Sequence, residues 1–125
     1  MATPALALVT LEMTRYYRAA DGLRLDVAPF VKALEHASGC RAVVLGKPAA
    51  PFFEAALARL RCAAGDVVMV GDDIVGDVQA AQRVGIHGIL VRTGKFRPQD
   101  LDGDIRPDAE LASIAEFPRW WQQQH

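Results

Sequence analysis

Taken as apolar and polar positions alone, the chain alternates short strand-like runs with amphipathic helical ones. Ala5 to Met13 is mostly apolar and reads as a strand, which Arg15-Tyr16-Tyr17-Arg18 continues in polar and aromatic residues. Asp21-Gly22 marks a turn, and Leu23 to Ala28 reads as a connection without regular structure. Pro29 opens a helix; its apolar positions Phe30, Val31, Leu34 and Ala37 share one face, and Gly39 stops it. Arg41 to Leu45 is a Val-containing strand followed by Gly46-Lys47-Pro48. Pro51 sits in the first turn of a second helix with the stripe Phe52, Phe53, Ala56, Leu57 and Leu60.

Val67 to Val70 is a buried strand, Ile74 to Val84 a helix closed by Gly85, and His87 to Val91 another strand. Arg92 to Lys95 follows as a polar loop. Phe96 to Asp108, with Pro98, Gly103, Pro107 and four Asp, reads as solvent-exposed loop. Ala109 to Ala112 is a candidate edge strand. Ser113 to His125, carrying Phe117, Trp120 and Trp121, is a closing helix whose start Pro118 blurs. Strands alternating with helices predict βαβ units, a parallel sheet and right-handed crossovers. The strands' C-terminal ends then share one edge, which receives Lys47, Asp72, Asp73, Asp77 and Thr93.

Composition adds exclusions. The 125 residues make one domain's worth of chain and are 51% hydrophobic, enough for a core. Fourteen basic against 15 acidic residues leave a net charge of −1, which predicts neither a nucleic-acid nor a membrane partner. Cys40 and Cys62 lack CxxC spacing, so no zinc site or disulfide framework is expected and a reducing cytoplasm is the default location. Met1 to Thr10 is apolar but short and has no basic start, unlike a signal peptide or a membrane span.

The chemistry concentrates in Val67-Val68-Met69-Val70-Gly71-Asp72-Asp73-Ile74-Val75-Gly76-Asp77. Three carboxylates crowd the end of a strand, where open α/β sheets bind ligands. Closely packed oxygen donors suit a hard cation such as Mg²⁺. A helix cap would need only one of these acids and would not need Asp77. Lys47, just past another strand, can place a point charge on a phosphoryl group, and Pro48 restricts its backbone. A merely solvated lysine is the alternative, though a helix start disfavours a cation. Asp72 is the foremost metal ligand; Asp73 and Asp77 either support it or partner Lys47. His36, His87 and His125 have no metal spacing. Trp120 and Trp121 read as core or interface cover. Arg15-Tyr16-Tyr17-Arg18 could touch an anion, with a solvated strand end the plainer reading. Neither a P-loop nor a GxSxG elbow is present.

Val44-Leu45-Gly46-Lys47-Pro48 and Val68 to Asp77 resemble the third and fourth motifs of the haloacid dehalogenase (HAD) superfamily. Val91 to Pro98, with Arg15-Tyr16-Tyr17 and Asp21-Gly22-Leu23, resembles its phosphatases of phosphoamides and pyrophosphate. The resemblance runs from about Leu8 to the C-terminus. It implies a Rossmann-like, HAD-like parallel sheet with flanking helices and an incomplete core. It also implies Mg²⁺-dependent hydrolysis through an aspartyl-phosphate. On this footing Lys47 binds the substrate's phosphoryl group and is catalytic together with Asp77. Asp72 and Asp73 are the metal-side residues. The partner would be a phosphorylated small molecule or phospho-amino acid.

Two motifs of the superfamily have no match. No apolar strand leads into an Asp-x-Asp: Thr10-Leu11-Glu12 has Thr at the nucleophile's place, and Asp102-Gly103-Asp104 follows a loop. The phosphate-gripping Ser or Thr motif is also missing. Residues 1–28 then correspond to the end of a cap and its return linker, and 29–125 to the C-terminal half of the core, together one compact unit. Such a chain is expected to hydrolyse little by itself. It is also expected to cover open strand edges as a homodimer, by swapping an element, or by moving its N-terminal strand into the gap. The rival readings are a non-catalytic HAD-like module that binds Mg²⁺ or phosphate or serves oligomerisation, and a receiver-type signalling domain. The receiver lacks its acidic pair near the N-terminus.

Overall fold

The computed structural model describes residues 7–124. Among these residues seven strands form three small sheets. β1 (Leu8–Thr10) pairs in parallel with β4 (Ala42–Val44), Val9 lying opposite Val43. β2 (Tyr16–Ala19) and β3 (Gly22–Leu25) make an antiparallel hairpin. β5 (Val68–Gly71), β6 (His87–Val91) and β7 (Ala109–Leu111) form a parallel sheet with β6 in the middle. The α/β class and its parallel sheets are as the alternating pattern predicts.

Most elements fall where periodicity places them. α1 (Val27–Ser38) starts two residues before Pro29, because the Asp26 side chain accepts the Val27 amide. Gly39 closes it at φ +72°. α2 (Ala50–Leu60) has Pro51 in its first turn. The helix expected over Ile74 to Val84 begins as a π-helical turn, Ile74–Gln79, and continues as α3 (Ala80–Gln82). The tail forms a 3-10 turn, Ile114–Glu116, and α4 (Phe117–Gln124).

Three expectations need correction. Arg15 to Arg18 does not continue β1; the chain turns away and residues 16–19 pair with 22–25 instead. Leu23 to Ala28 is therefore strand and helix start rather than irregular connection. The stretch Phe96 to Asp108 is not simply exposed. Phe96, Leu101 and Ile105 pack on the buried Ile74, Val78 and Leu90, with a 3-10 turn at Pro98–Leu101. The Ala5 and Leu6 end of the first expected strand lies outside the described residues.

The core centres on β6. Ile89 and Leu90 are both fully buried although adjacent strand residues face opposite sides. Ile89 joins Val91, Leu111, Phe117 and Trp120 on one face. Leu90 joins Ile74 and Val78 on the other. A strand covered on both faces reads as a continuous apolar run, which is what His-Gly-Ile-Leu-Val shows after its first two residues. Phe53 of α2, Ala80, Ala81 and Ile86 make a further cluster. Among the described residues no backbone ladder joins β4 to β5. The β1–β4 pair bridges the boundary drawn at residue 28, and its Val9 and Val43, with the following Leu45, are more than half exposed.

Candidate active site

The parallel sheet delivers its acidic residues at the C-terminal end of β5. Gly71 ends that strand, and Asp73 caps the following helix by accepting the Val75 amide at 3.1 Å. The bland reading of one Asp as a cap is thus correct for Asp73, and the cap does not exhaust the cluster. Asp77, one helical turn on, points back and accepts the Asp73 amide at 3.2 Å. Gly71 lies directly against the Asp77 side chain, so a side chain at position 71 would displace that carboxylate.

Lys47 arrives from the other sheet. Its Nζ lies 2.6 Å from Asp77 Oδ1, and the Asp77 side chain is 5% exposed. The loop carrying Lys47 is tied to the segment after β1: the Met13 amide donates to the Lys47 carbonyl and the Leu45 amide to Thr10. Gly46 packs on the Leu11 carbonyl with no room for a Cβ. The Lys47–Pro48 peptide is cis. Burial works to lower the Lys47 pKa, but the Asp77 hydrogen bond and the Asp77, Asp73 and Asp72 charges outweigh it and raise it.

A second lysine, Lys95, completes the arrangement. Its Nζ is 2.7 Å from Asp73 Oδ2, with both side chains about nine-tenths buried. Its backbone amide donates to Asp72 Oδ2 at 2.8 Å. Gly94, at φ +55°, presses directly on that same Asp72 oxygen. Burial works to raise the Asp73 pKa, but the Lys95 and backbone hydrogen bonds hold it below the usual carboxylate range. Lys95 escaped the sequence reading as a site residue. The signal was its place just past β6 on the same sheet edge, in a loop read only as polar.

The structure therefore brings together all four residues singled out earlier, Lys47, Asp72, Asp73 and Asp77, and adds Lys95. Asp102 and Asp104 are exposed, away from any strand end. Thr10 is buried and donates its hydroxyl to the Glu12 carbonyl. Both oxygens of Asp73 and of Asp77 are engaged. Asp72 Oδ1 alone in the trio has no hydrogen-bond partner among the described residues. Among those residues no group of three or more His, Cys, Asp and Glu could hold a metal ion. These side chains do not by themselves fit a closed Mg²⁺ site; Asp72 offers one oxygen to a shared one.

Comparison with known proteins agrees with this geometry. The HAD-hydrolase-like family model matches residues 44–117, which hold Lys47, the acidic trio and Lys95. The chain belongs to the HAD-like hydrolases. It is 48% identical over 110 residues to the phospholysine phosphohistidine inorganic pyrophosphate phosphatase of Homo sapiens, covering 87% of this chain and 41% of that protein. It is 48% identical over 111 residues to haloacid dehalogenase-like hydrolase domain-containing protein 2 of Rattus norvegicus, covering 89% and 42%. The chain thus spans about two-fifths of the length of these relatives. In structure it is similar to a p-nitrophenyl phosphatase from Archaeoglobus fulgidus, with a TM-score of 0.78, 29% identity, and coverage of 92% of this chain and 46% of that one. A 4-nitrophenylphosphatase from Thermotoga maritima, at 23% identity and a TM-score of 0.79, shares the fold over 90% of this chain and 44% of its own. No helix among the described residues is long and apolar enough to cross a membrane.

Proposed function

We propose that this chain is the phosphoryl-holding half of a HAD-like phosphatase acting on phosphoric monoesters, phosphoamides or pyrophosphate. The observation that carries the reading is the Lys47–Asp77 pair beside Asp72 at the C-terminal edge of the sheet. Lys47 is the residue that meets the transferring phosphoryl group. Asp77 orients Lys47 and keeps it charged. Lys95 orients Asp72 through its amide and neutralises Asp73 through its ammonium. A positioned, permanently charged lysine stabilises negative charge as it develops on the phosphoryl oxygens. Mg²⁺ would add charge neutralisation at Asp72. With one free carboxylate oxygen to offer, this chain binds that ion weakly.

No Asp in the sequence follows an apolar strand as the superfamily's first motif requires; Thr10, at that place, is buried, and Asp102 and Asp104 lie in an exposed turn. The chain alone therefore turns over poorly. With Mg²⁺ and p-nitrophenyl phosphate its kcat should fall far below the about 1 s⁻¹ of ordinary enzymes, and a rate at or above that overturns the reading. Loss of the nucleophile alone costs orders of magnitude. Mg²⁺ titration should show weak binding that Asp72→Ala abolishes.

The exposed apolar residues on the β1–β4 side favour a second reading, a non-catalytic HAD-like module binding Mg²⁺ or phosphate or serving as an assembly partner. The exposed Val9, Leu11, Val43 and Leu45 on the β1–β4 side suit a homodimer or an element swap. Sedimentation at micromolar concentration tests this: a strictly monomeric chain sinks the assembly role.

A further inference from the structure

The β2–β3 hairpin carries basic chemistry that the phosphoryl site leaves unused. Alternation along β2 sends Tyr16 and Arg18 to the same side, towards the loop after β6. Arg18 Nε donates to the Gly94 carbonyl at 2.9 Å. Gly94 is the residue that presses on Asp72 Oδ2, so Arg18 stands one residue's thickness from the acidic trio. The Tyr16 ring has Lys95 Nζ at 5.4 Å, Arg97 Cζ at 5.0 Å and Arg15 Cζ at 5.4 Å from its centre.

Three cations around one ring repel each other unless each finds an anion. Lys95 has Asp73 and Arg97 has Asp100. Arg15 and Arg18 have no carboxylate partner among the described residues, and residues 1–6 carry no acidic side chain. Among the described residues Arg18 has no partner at its terminal nitrogens after bonding Gly94. Both guanidinium groups are on exposed residues, open to an incoming group.

We infer that Arg15 and Arg18 form a subsite for a second anionic group of the substrate, next to the phosphoryl group held at Lys47. This rests on the phosphatase reading above and adds to it the residues that select the substrate. The planar guanidinium fork matches phosphate oxygens bidentately, which a lysine cannot do. A plain monophosphate would leave the subsite empty, whereas a diphosphate would fill it.

The test is equilibrium binding to the full chain in EDTA at low ionic strength, by titration calorimetry, with inorganic pyrophosphate and inorganic phosphate as probes. Wild type should bind pyrophosphate about tenfold or more tighter than phosphate, the size of one charge-assisted contact. The Arg15→Gln/Arg18→Gln double variant should lose that preference, its pyrophosphate affinity falling by about tenfold more than its phosphate affinity, and Arg18→Lys should restore only part of it. Thermal melts confirm that the variants stay folded, as expected for exposed positions. Lys47→Met should weaken both probes and tests the phosphatase reading separately. A preference that survives in the double variant overturns the subsite. Equal binding of the two probes to wild type, or no pyrophosphate binding, overturns it as well, and in the first case the Lys47 reading stands.

Discussion

Lys95→Met isolates the least expected part of the site. Methionine keeps most of the aliphatic volume and deletes the ammonium. In the wild type Lys95 Nζ sits 2.7 Å from Asp73 Oδ2, with side-chain exposures of 12% and 10%. Solvent screening is therefore slight, and the relevant comparison is with buried pairs broken on one side. Those lose about 3–5 kcal/mol, because the orphaned charge stays behind. Asp73 keeps the Val75 amide, so the lower end, about 3 kcal/mol at pH 7, is expected. The tyrosine contact adds little to the loss.

The same pair fixes the pH dependence. Asp73 has a depressed folded pKa, so its contribution is fully present above the unfolded value and is lost as pH falls through the folded one. Without Lys95, burial meets less opposition and the Asp73 pKa moves up relative to wild type. Protonation then relieves the orphaned charge. The gap between wild type and variant should be widest near pH 7 and should narrow as pH drops towards 4. Urea unfolding at several pH values, followed by tryptophan fluorescence, reads this directly. Asp73→Asn retains an acceptor for the Val75 amide, and the double variant Asp73→Asn/Lys95→Met should recover part of the loss. A loss below about 1 kcal/mol at pH 7, or a loss unchanged at pH 4, would refute the reasoning.

Other outcomes follow from the same geometry. Lys47→Met orphans Asp77, but Lys47 is about one-third exposed, so the discounted cost is about 1–2 kcal/mol in a urea melt, with phosphate binding lost in calorimetry. Gly94→Ala should cost about 1–2 kcal/mol for its left-handed φ and the clash with Asp72, and should lower Mg²⁺ affinity in the same preparation. Phe53→Ala, at an α2 residue 2% exposed against Ala80 and Ala81, should cost about 3–5 kcal/mol in thermal or urea unfolding.

Local signals located the elements that face one way. The apolar runs at β5 and β6, the stripe on α2 and the acid cluster after β5 all stand at their expected places, because burial on a regular element leaves a period in the sequence. The hairpin at 16–25 left none. Its strands, Tyr-Tyr-Arg-Ala and Gly-Leu-Arg-Leu, are mostly exposed, so no buried face imposed a period, and only Asp21-Gly22 hinted at the turn. The segment after Pro98 misled for the opposite reason. Its prolines and aspartates look solvated, yet Phe96, Leu101 and Ile105 are spaced to reach a core that only the folded chain presents. Asp100, with its side chain 4% exposed, is held by Arg97, a pairing that composition counts as two surface charges. Lys95 was hidden differently: its carboxylate lies 22 residues away in the sequence, so no short motif links them.

Charge bookkeeping at the sheet edge explains why these additions matter. Asp72, Asp73 and Asp77 against Lys47 and Lys95 give two positive and three negative charges, a net of −1. Each lysine is already engaged with a carboxylate. Such a site holds its ions rigidly, yet it repels the phosphoryl dianion that Lys47 is placed to meet. Cations from beyond the trio must turn the balance. Arg15 and Arg18 supply two within this chain, which changes the count to +1, and Arg18 is fastened to the glycine that positions Asp72. On the subsite proposed above, the hairpin supplies compensating charge from within this chain. Salt should weaken phosphate binding steeply through these exposed arginines and only weakly through the buried Lys95–Asp73 pair, because screening acts on exposed charges far more than on buried ones.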